Sequence, residues 1–211
     1  MEVHHRVRFP WACPGLIAMK LDVRFVEVSL EDVWCEAVAG LVFQEPYDAQ
    51  GNIFTLDTRT GGYLSLLRES GFFRGSLGST ILLASEGRVK ADKIVLKGLG
   101  PKADCSLEAF VKCVQELGDS LARLKVRDLA VWIPLPGNLE RDPAGFFCDA
   151  CVTLLRSYER MYGMDSGFYL KTVFSFPREV IEFLQDIAGN LKNAFRHLES
   201  CSVIKTVAGD S

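Results

Sequence analysis

The sequence predicts an α/β fold, a layered sandwich whose strands are joined by crossover connections. Three observations predict it. Strand-like and helix-like segments alternate through the second half of the chain. Ala37 to Phe43 (AVAGLVF) is a continuous apolar run of the kind carried by a strand buried on both faces. Glycine pairs at Gly75/Gly78 and Gly98/Gly100 flank strand-like segments and mark sharp turns at their ends.

Taken in order, Leu21 to Val28 alternates as a strand, with Val23, Phe25 and Glu27 on one face and Arg24, Val26 and Val28 on the other. The buried strand 37–43 follows, and Glu45 to Asn52 (EPYDAQGN) has the composition of a surface loop. A helix through Leu56 and Leu64 is expected to end at Ser70, with Gly71 taking the left-handed position after it. Thr80–Ala84 and Lys93–Lys97 (KIVLK) read as the next two strands. From Ser106, the apolar positions Leu107, Phe110, Val111, Val114, Leu117, Leu121 and Leu124 recur every three or four residues, which gives a helix with one buried stripe. Leu129–Ile133 reads as a strand ended by Pro134, Pro136 and Gly137. Asp142 is the expected cap of a helix with Pro143 in its first turn, running to Tyr162 and stopped at Gly163. Phe168 to Phe176 alternates as a strand, and Pro177 opens a last helix through Val180, Ile181, Leu184, Ile187, Leu191 and Phe195.

A chain of 211 residues, 48% apolar and 24% charged, is long enough for one sizeable core. A formal net charge of −3 supplies no global field for nucleic acid or an anionic membrane, so neither partner is expected. No uninterrupted apolar stretch is long enough for a transmembrane helix. Seven scattered cysteines, an odd number in apolar segments, read as reduced thiols of a cytoplasmic protein. Residues 1–18 read as a loose extension, residues 19–198 as the domain and residues 199–211 as a flexible tail.

The stretch Leu56 to Gly100 carries Leu56-Asp57, Thr60-Gly61-Gly62, Leu64, Gly75, Gly78, Thr80 and Gly98-Leu99-Gly100 in that order. This order resembles the amino-terminal domain of the leucyl (cytosol) aminopeptidase family, and the similarity extends from about Leu21 to Phe195. The resemblance implies a three-layer α/β/α sandwich with a mixed, mostly parallel sheet, macro-domain-like in its fold. The family's separate catalytic domain holds two metal ions and an NTDAEGR motif, which this sequence does not contain. The expectation is therefore a domain without catalytic residues, metal or cofactor. Its expected partners are itself or a full-length aminopeptidase. The alternative is a small-ligand module for a nucleotide or ADP-ribose-type molecule.

Candidate ligand-binding residues for that alternative are Gly98, Gly100 and Lys102 at a strand end, with Gly61, Gly62, Gly75 and Gly78. Backbone N–H groups at such a loop can receive a phosphate, although glycines there also serve simple tight turns. Arg88, Lys90, Lys93, Lys97 and Lys102 form a modest basic stretch, read as solvated strand ends. Cys148 and Cys151 form a C-x-x-C inside a helix, where core packing is the default over redox or zinc chemistry. His4, His5 and His197 have no partners at ligand spacing. Charge pairs such as Glu31/Asp32 and Glu179/Glu182 read as surface or turn charges.

Overall fold

The computed structural model describes residues 19–26, 29–45, 52–135, 142–176, 178–198 and 200–206. Its strands are β1 (Lys20–Val26), β2 (Cys35–Val42), β3 (Thr80–Ala84), β4 (Ala91–Gly98), β5 (Asp128–Trp132), β6 (Tyr169–Ser175) and β7 (Ser200–Thr206). The helices are α1 (Asn52–Arg59), α2 (Tyr63–Glu69), α3 (Leu107–Arg123), α4 (Pro143–Tyr162) and α5 (Leu184–Ala194). The expected 1–18 extension and the tips of the 45–52 and 134–137 turns lie outside the described residues, as does Pro177.

All seven strands form one sheet in the order β3-β4-β2-β5-β6-β1-β7. Every neighbouring pair is parallel except β3–β4, so the sheet is mixed and mostly parallel. One core lies between the sheet and α3, α4 and α5, where Phe110, Leu117, Phe147, Leu154, Tyr158 and Ile187 are buried with Val23, Leu41, Val131 and Phe174. A smaller core on the other face packs Ile53, Leu56, Leu64 and Phe73 on Val38, Ile94, Leu96 and Ala130. This is the three-layer sandwich expected from the sequence.

Local chemistry accounts for most boundaries. Ser106 caps α3 by accepting from the Ala109 N–H at 3.2 Å, and Asp142 caps α4 by accepting from Gly145 N–H at 2.9 Å. The ends of the α3 stripe, Leu107 and Leu124, are exposed.

Three expectations need correction. The single helix ending at Ser70 is two helices, because Gly61 and Gly62 both take left-handed backbone (φ 73° and 78°) and turn the chain between α1 and α2. The last helix begins as a 3-10 segment, Arg178–Phe183, before α5. Residues 200–206, expected as part of a flexible tail, form β7 and pair in parallel with β1 from Lys20↔Ser200 to Val26↔Thr206.

A buried carboxylate fastens this side of the sheet. Asp22 on β1 accepts hydrogen bonds from Arg24, from the Tyr169 hydroxyl on β6 at 3.0 Å and from the Ser202 hydroxyl on β7 at 3.1 Å. Burial alone would push its pKa up, but the hydrogen bonds from Arg24, Tyr169 and Ser202 outweigh it and hold the carboxyl below its ordinary pKa of 3.8. A carboxyl depressed in the folded state contributes stability above that value and loses it as pH falls through the folded-state value. Asp22→Asn is therefore expected to flatten the loss of stability below about pH 4, as read from urea midpoints between pH 2.5 and 6. An unchanged acid slope would show that this network does not set it.

Candidate functional site

The strand-end glycines converge on one corner of the sheet, where the turn 75–79 packs beneath the end of β4. Gly98 N–H donates to Ser79 O at 2.8 Å, Leu99 N–H to Val42 O at 2.8 Å and Gly100 N–H to Gly75 O at 2.9 Å. Gly78 N–H in turn donates to Gly98 O at 3.0 Å. A Cβ on Gly98 would lie 2.2 Å from Ser76 O and 2.5 Å from Gly75 C, so the two backbones meet where only hydrogen fits. Gly75, Gly78, Gly98 and Gly100 thus form an internal clamp. The N–H groups of residues 98–100 are already spent on carbonyls of the same chain.

Lys102 flanks the clamp. Its N–H donates to Glu45 Oε1 at 2.7 Å, and its ammonium sits 6.0 Å from the centre of the Phe43 ring. Gly61 and Gly62 are not part of this corner. They shape the α1–α2 turn, where Arg88 donates to Thr60 O at 2.6 Å.

Sequence reasoning missed two polar anchors here. Lys97, read as a solvated strand end, is only 3% exposed. Its ammonium donates to Gly78 O at 2.7 Å and Thr80 Oγ1 at 3.1 Å and pairs with Glu116 on α3 at 2.6 Å. The available signal was a lysine next to glycine directly after the apolar run Ile94–Leu96. Asp57 is also buried: its carboxylate accepts from Leu64 N–H at 2.8 Å, Ser65 N–H at 3.0 Å and the Ser65 hydroxyl. It caps α2 from the preceding helix, which gives the Leu-Asp pair a structural role. Asp57→Ala is expected to cost about 2 kcal/mol, by loss of the cap and exposure of unpaired donors. A change below about 0.5 kcal/mol in a urea titration would refute that role.

Two clefts accompany these features. One of about 640 Å³ is lined by Phe54, Asp57, Ser65, Arg68, Glu69 and Arg74, together with Gln44. Within it, Arg68 donates to the carbonyls of Gln44 and Glu45. A second, of about 320 Å³, lies near the starts of β2 and β4 between Glu31, Trp34, Arg59, Arg88 and Lys90. Glu31, read as a surface charge, is 4% exposed, and burial pushes its carboxyl up.

The C-x-x-C pair packs in the core. Cys148 and Cys151 are buried in α4, and burial pushes both thiols up, so they are protonated at neutral pH. Cys35 is pushed up to about 12 by burial, with Asp128 adding to the effect. Among the described residues, no group of three or more His, Cys, Asp or Glu could hold a metal ion, and no helix is long and apolar enough to cross a membrane.

The model of the cytosol aminopeptidase family's N-terminal domain matches residues 41–159. The chain belongs to that family. A probable cytosol aminopeptidase from Geobacter sp. (strain M21) is 31% identical over 117 residues, which is 55% of this chain and 24% of the relative. The chain thus spans about a quarter of the length of the curated relatives it matches. Among solved structures, a mutant of tomato leucine aminopeptidase aligns with TM-score 0.57 at 15% identity, covering 79% of this chain and 35% of that one. A Trypanosoma brucei macrodomain in complex with ADP aligns with TM-score 0.55 at 14% identity, covering 82% and 68%. At these identities the two structures establish the fold, which is macro-domain-like. In this family member, the glycines that carry the resemblance are the ones that build the clamp and the α1–α2 turn.

Proposed function

We propose that this cytosol aminopeptidase N-terminal domain is non-catalytic and works in the cytoplasm through protein contacts, with itself or with a full-length aminopeptidase of the same family. The observation that carries the reading is the surface of segment 63–82, which turns Leu66, Phe72, Leu77 and Leu82 half to three-quarters into solvent. The closed clamp supports it as well, because a phosphate arriving at Gly98–Gly100 would find no free N–H from residues 98–100.

A macro-like module binding a nucleotide or ADP-ribose-type ligand is the second reading. The larger cleft favours it, since Arg68, Arg74 and Phe54 all line a space of about nucleotide size. The deciding experiment titrates the purified protein against a purified full-length cytosol aminopeptidase and, separately, against ADP-ribose. Complex formation with the aminopeptidase or with a second copy, and no saturable ADP-ribose heat, is the expected result. One-site ADP-ribose binding with no protein complex would replace the first reading with the second.

A further inference from the structure

β3 is the terminal strand of the sheet, and its hydrogen-bonding directions are fixed by its pairing with β4. Ser85 N–H donates to Asp92 O, and Ser79 O accepts from Gly98 N–H, with both pairs in the β3–β4 register. In an antiparallel ladder, residues that exchange hydrogen bonds alternate with residues that do not. Ile81 and Leu83 therefore bond inward to β4, opposite Leu96 and Ile94. Thr80, Leu82 and Ala84 turn both their N–H and C=O groups outward.

Those three outward residues are symmetric about Leu82. We propose that the β3 edge pairs with β3 of a second copy, antiparallel about a two-fold axis through Leu82. This register sets Thr80 opposite Ala84 of the second copy and Leu82 opposite its own counterpart, each pair exchanging both backbone hydrogen bonds. An axis through Thr80, Ile81, Leu83 or Ala84 leaves at least one outward residue without a β3 partner, and an axis falling between two residues sets outward groups against inward ones.

Side chains fit the same register. On the face toward α3, Leu82, which lies opposite Val95 of the larger core and is 49% exposed, meets Leu82 of the second copy. On the other face, Ile81 and Leu83, which pack with the smaller core, meet Leu83 and Ile81 of the second copy and extend that core across the junction. The strand, TILLA, contains no charge and no proline, the devices that ordinarily guard an edge. The nearest charge beyond its carboxyl end, Glu86, lies in the turn that follows the strand. Lys97, one strand in, holds Gly78 O and Thr80 Oγ1 and so fixes the edge before pairing.

The strand is five residues long, and such a junction buries less than the ~800 Å² per partner of a standard interface. Association in the micromolar range or weaker is expected, giving a concentration-dependent dimer. The proposal rests on the protein-contact reading and names its surface and its partner.

Sedimentation equilibrium of the intact chain from ~1 µM to ~1 mM, with residue-level amide exchange at both ends of that range, tests it. The expected result is a rising mass together with slowed exchange at the Thr80, Leu82 and Ala84 amides. Leu82→Pro removes an outward N–H and leaves the inward ladder to β4 intact, as an edge strand tolerates. Leu82→Lys keeps the backbone and brings two like charges together. Each variant is expected to keep the urea midpoint near wild type and to weaken dimerisation at least about tenfold. A wild-type chain that stays monomeric throughout overturns the proposal. A dimer whose mass and edge amides ignore both variants also overturns it, while leaving self-contact through another surface standing. If the monomer still binds a full-length aminopeptidase, the edge is wrong and the protein-contact reading survives. If it binds neither, both fail.

Discussion

Gly98→Ala is expected to destabilise the domain by about 3 kcal/mol. The added Cβ would stand 2.2 Å from Ser76 O, 2.5 Å from Gly75 C and 2.5 Å from Ser79 Oγ. Two of those three neighbours are backbone atoms, so no rotamer change can make room. Relief requires the turn 75–79 to move away from β4, which breaks the Gly98–Ser79 and Gly100–Gly75 hydrogen bonds together. Gly62→Ala is the informative control. It meets nothing within 4 Å but keeps a φ of 78°, so it carries backbone strain alone, at a cost of about 1–2 kcal/mol. Urea midpoints at a common m-value separate the two. Equal losses would show that left-handed backbone, and not crowding, is why glycine occupies these loops. The same geometry explains why a Gly98→Asp variant is a poor probe of ligand binding: it would unfold the corner before any ligand could be tested.

Lys97→Ala is expected to cost about 2–4 kcal/mol. Glu116 is 39% exposed and can return to water when its partner is removed, so the ion pair itself is a minor part of the loss. Most of the loss comes from the Gly78 carbonyl and Thr80 hydroxyl, which would face a cavity where the ammonium had been. Lys97→Met fills the cavity without replacing the donors. Its cost should be roughly half that of alanine. If methionine and alanine cost the same, the hydrogen bonds dominate. If methionine costs nothing, lysine is present only for its hydrocarbon stem.

These two residues also show what the sequence could disclose. The strand Lys93–Lys97 and the glycines after it were legible from apolar content and turn chemistry, because those signals are local. That Gly98 backs onto Gly75, 23 positions earlier in the chain, was not legible, because no local pattern records which loop packs beneath which strand. Lys97 was misread for a similar reason. A lysine at a strand end is normally solvated, and only the convergence of Gly78, Thr80 and Glu116 makes a buried site for it. Asp57 looked like one half of a sequence signature, yet its partners are backbone donors of the next helix, whose position depends on the break at Gly61-Gly62. β7 was lost to the reading because Ser200, Ser202, Lys205 and Thr206 dilute its apolar content. It adds one parallel partner to β1, whose other side is already occupied by β6.

That arrangement of β1 sets the order in which the chain can fold. β2, β3 and β4 have mutual partners within residues 35–98, so their pairing can form as soon as that segment is available. β1 precedes the other strands but lies between the last two, and each residue from Lys20 to Val26 waits for one neighbour within 169–175 and another within 200–206. Contacts so distant along the chain close slowly. On a ribosome, Leu21, Val23 and Phe25 therefore stay unpaired through synthesis of nearly the whole domain, and the nascent chain presents a sticky strand for chaperones to hold.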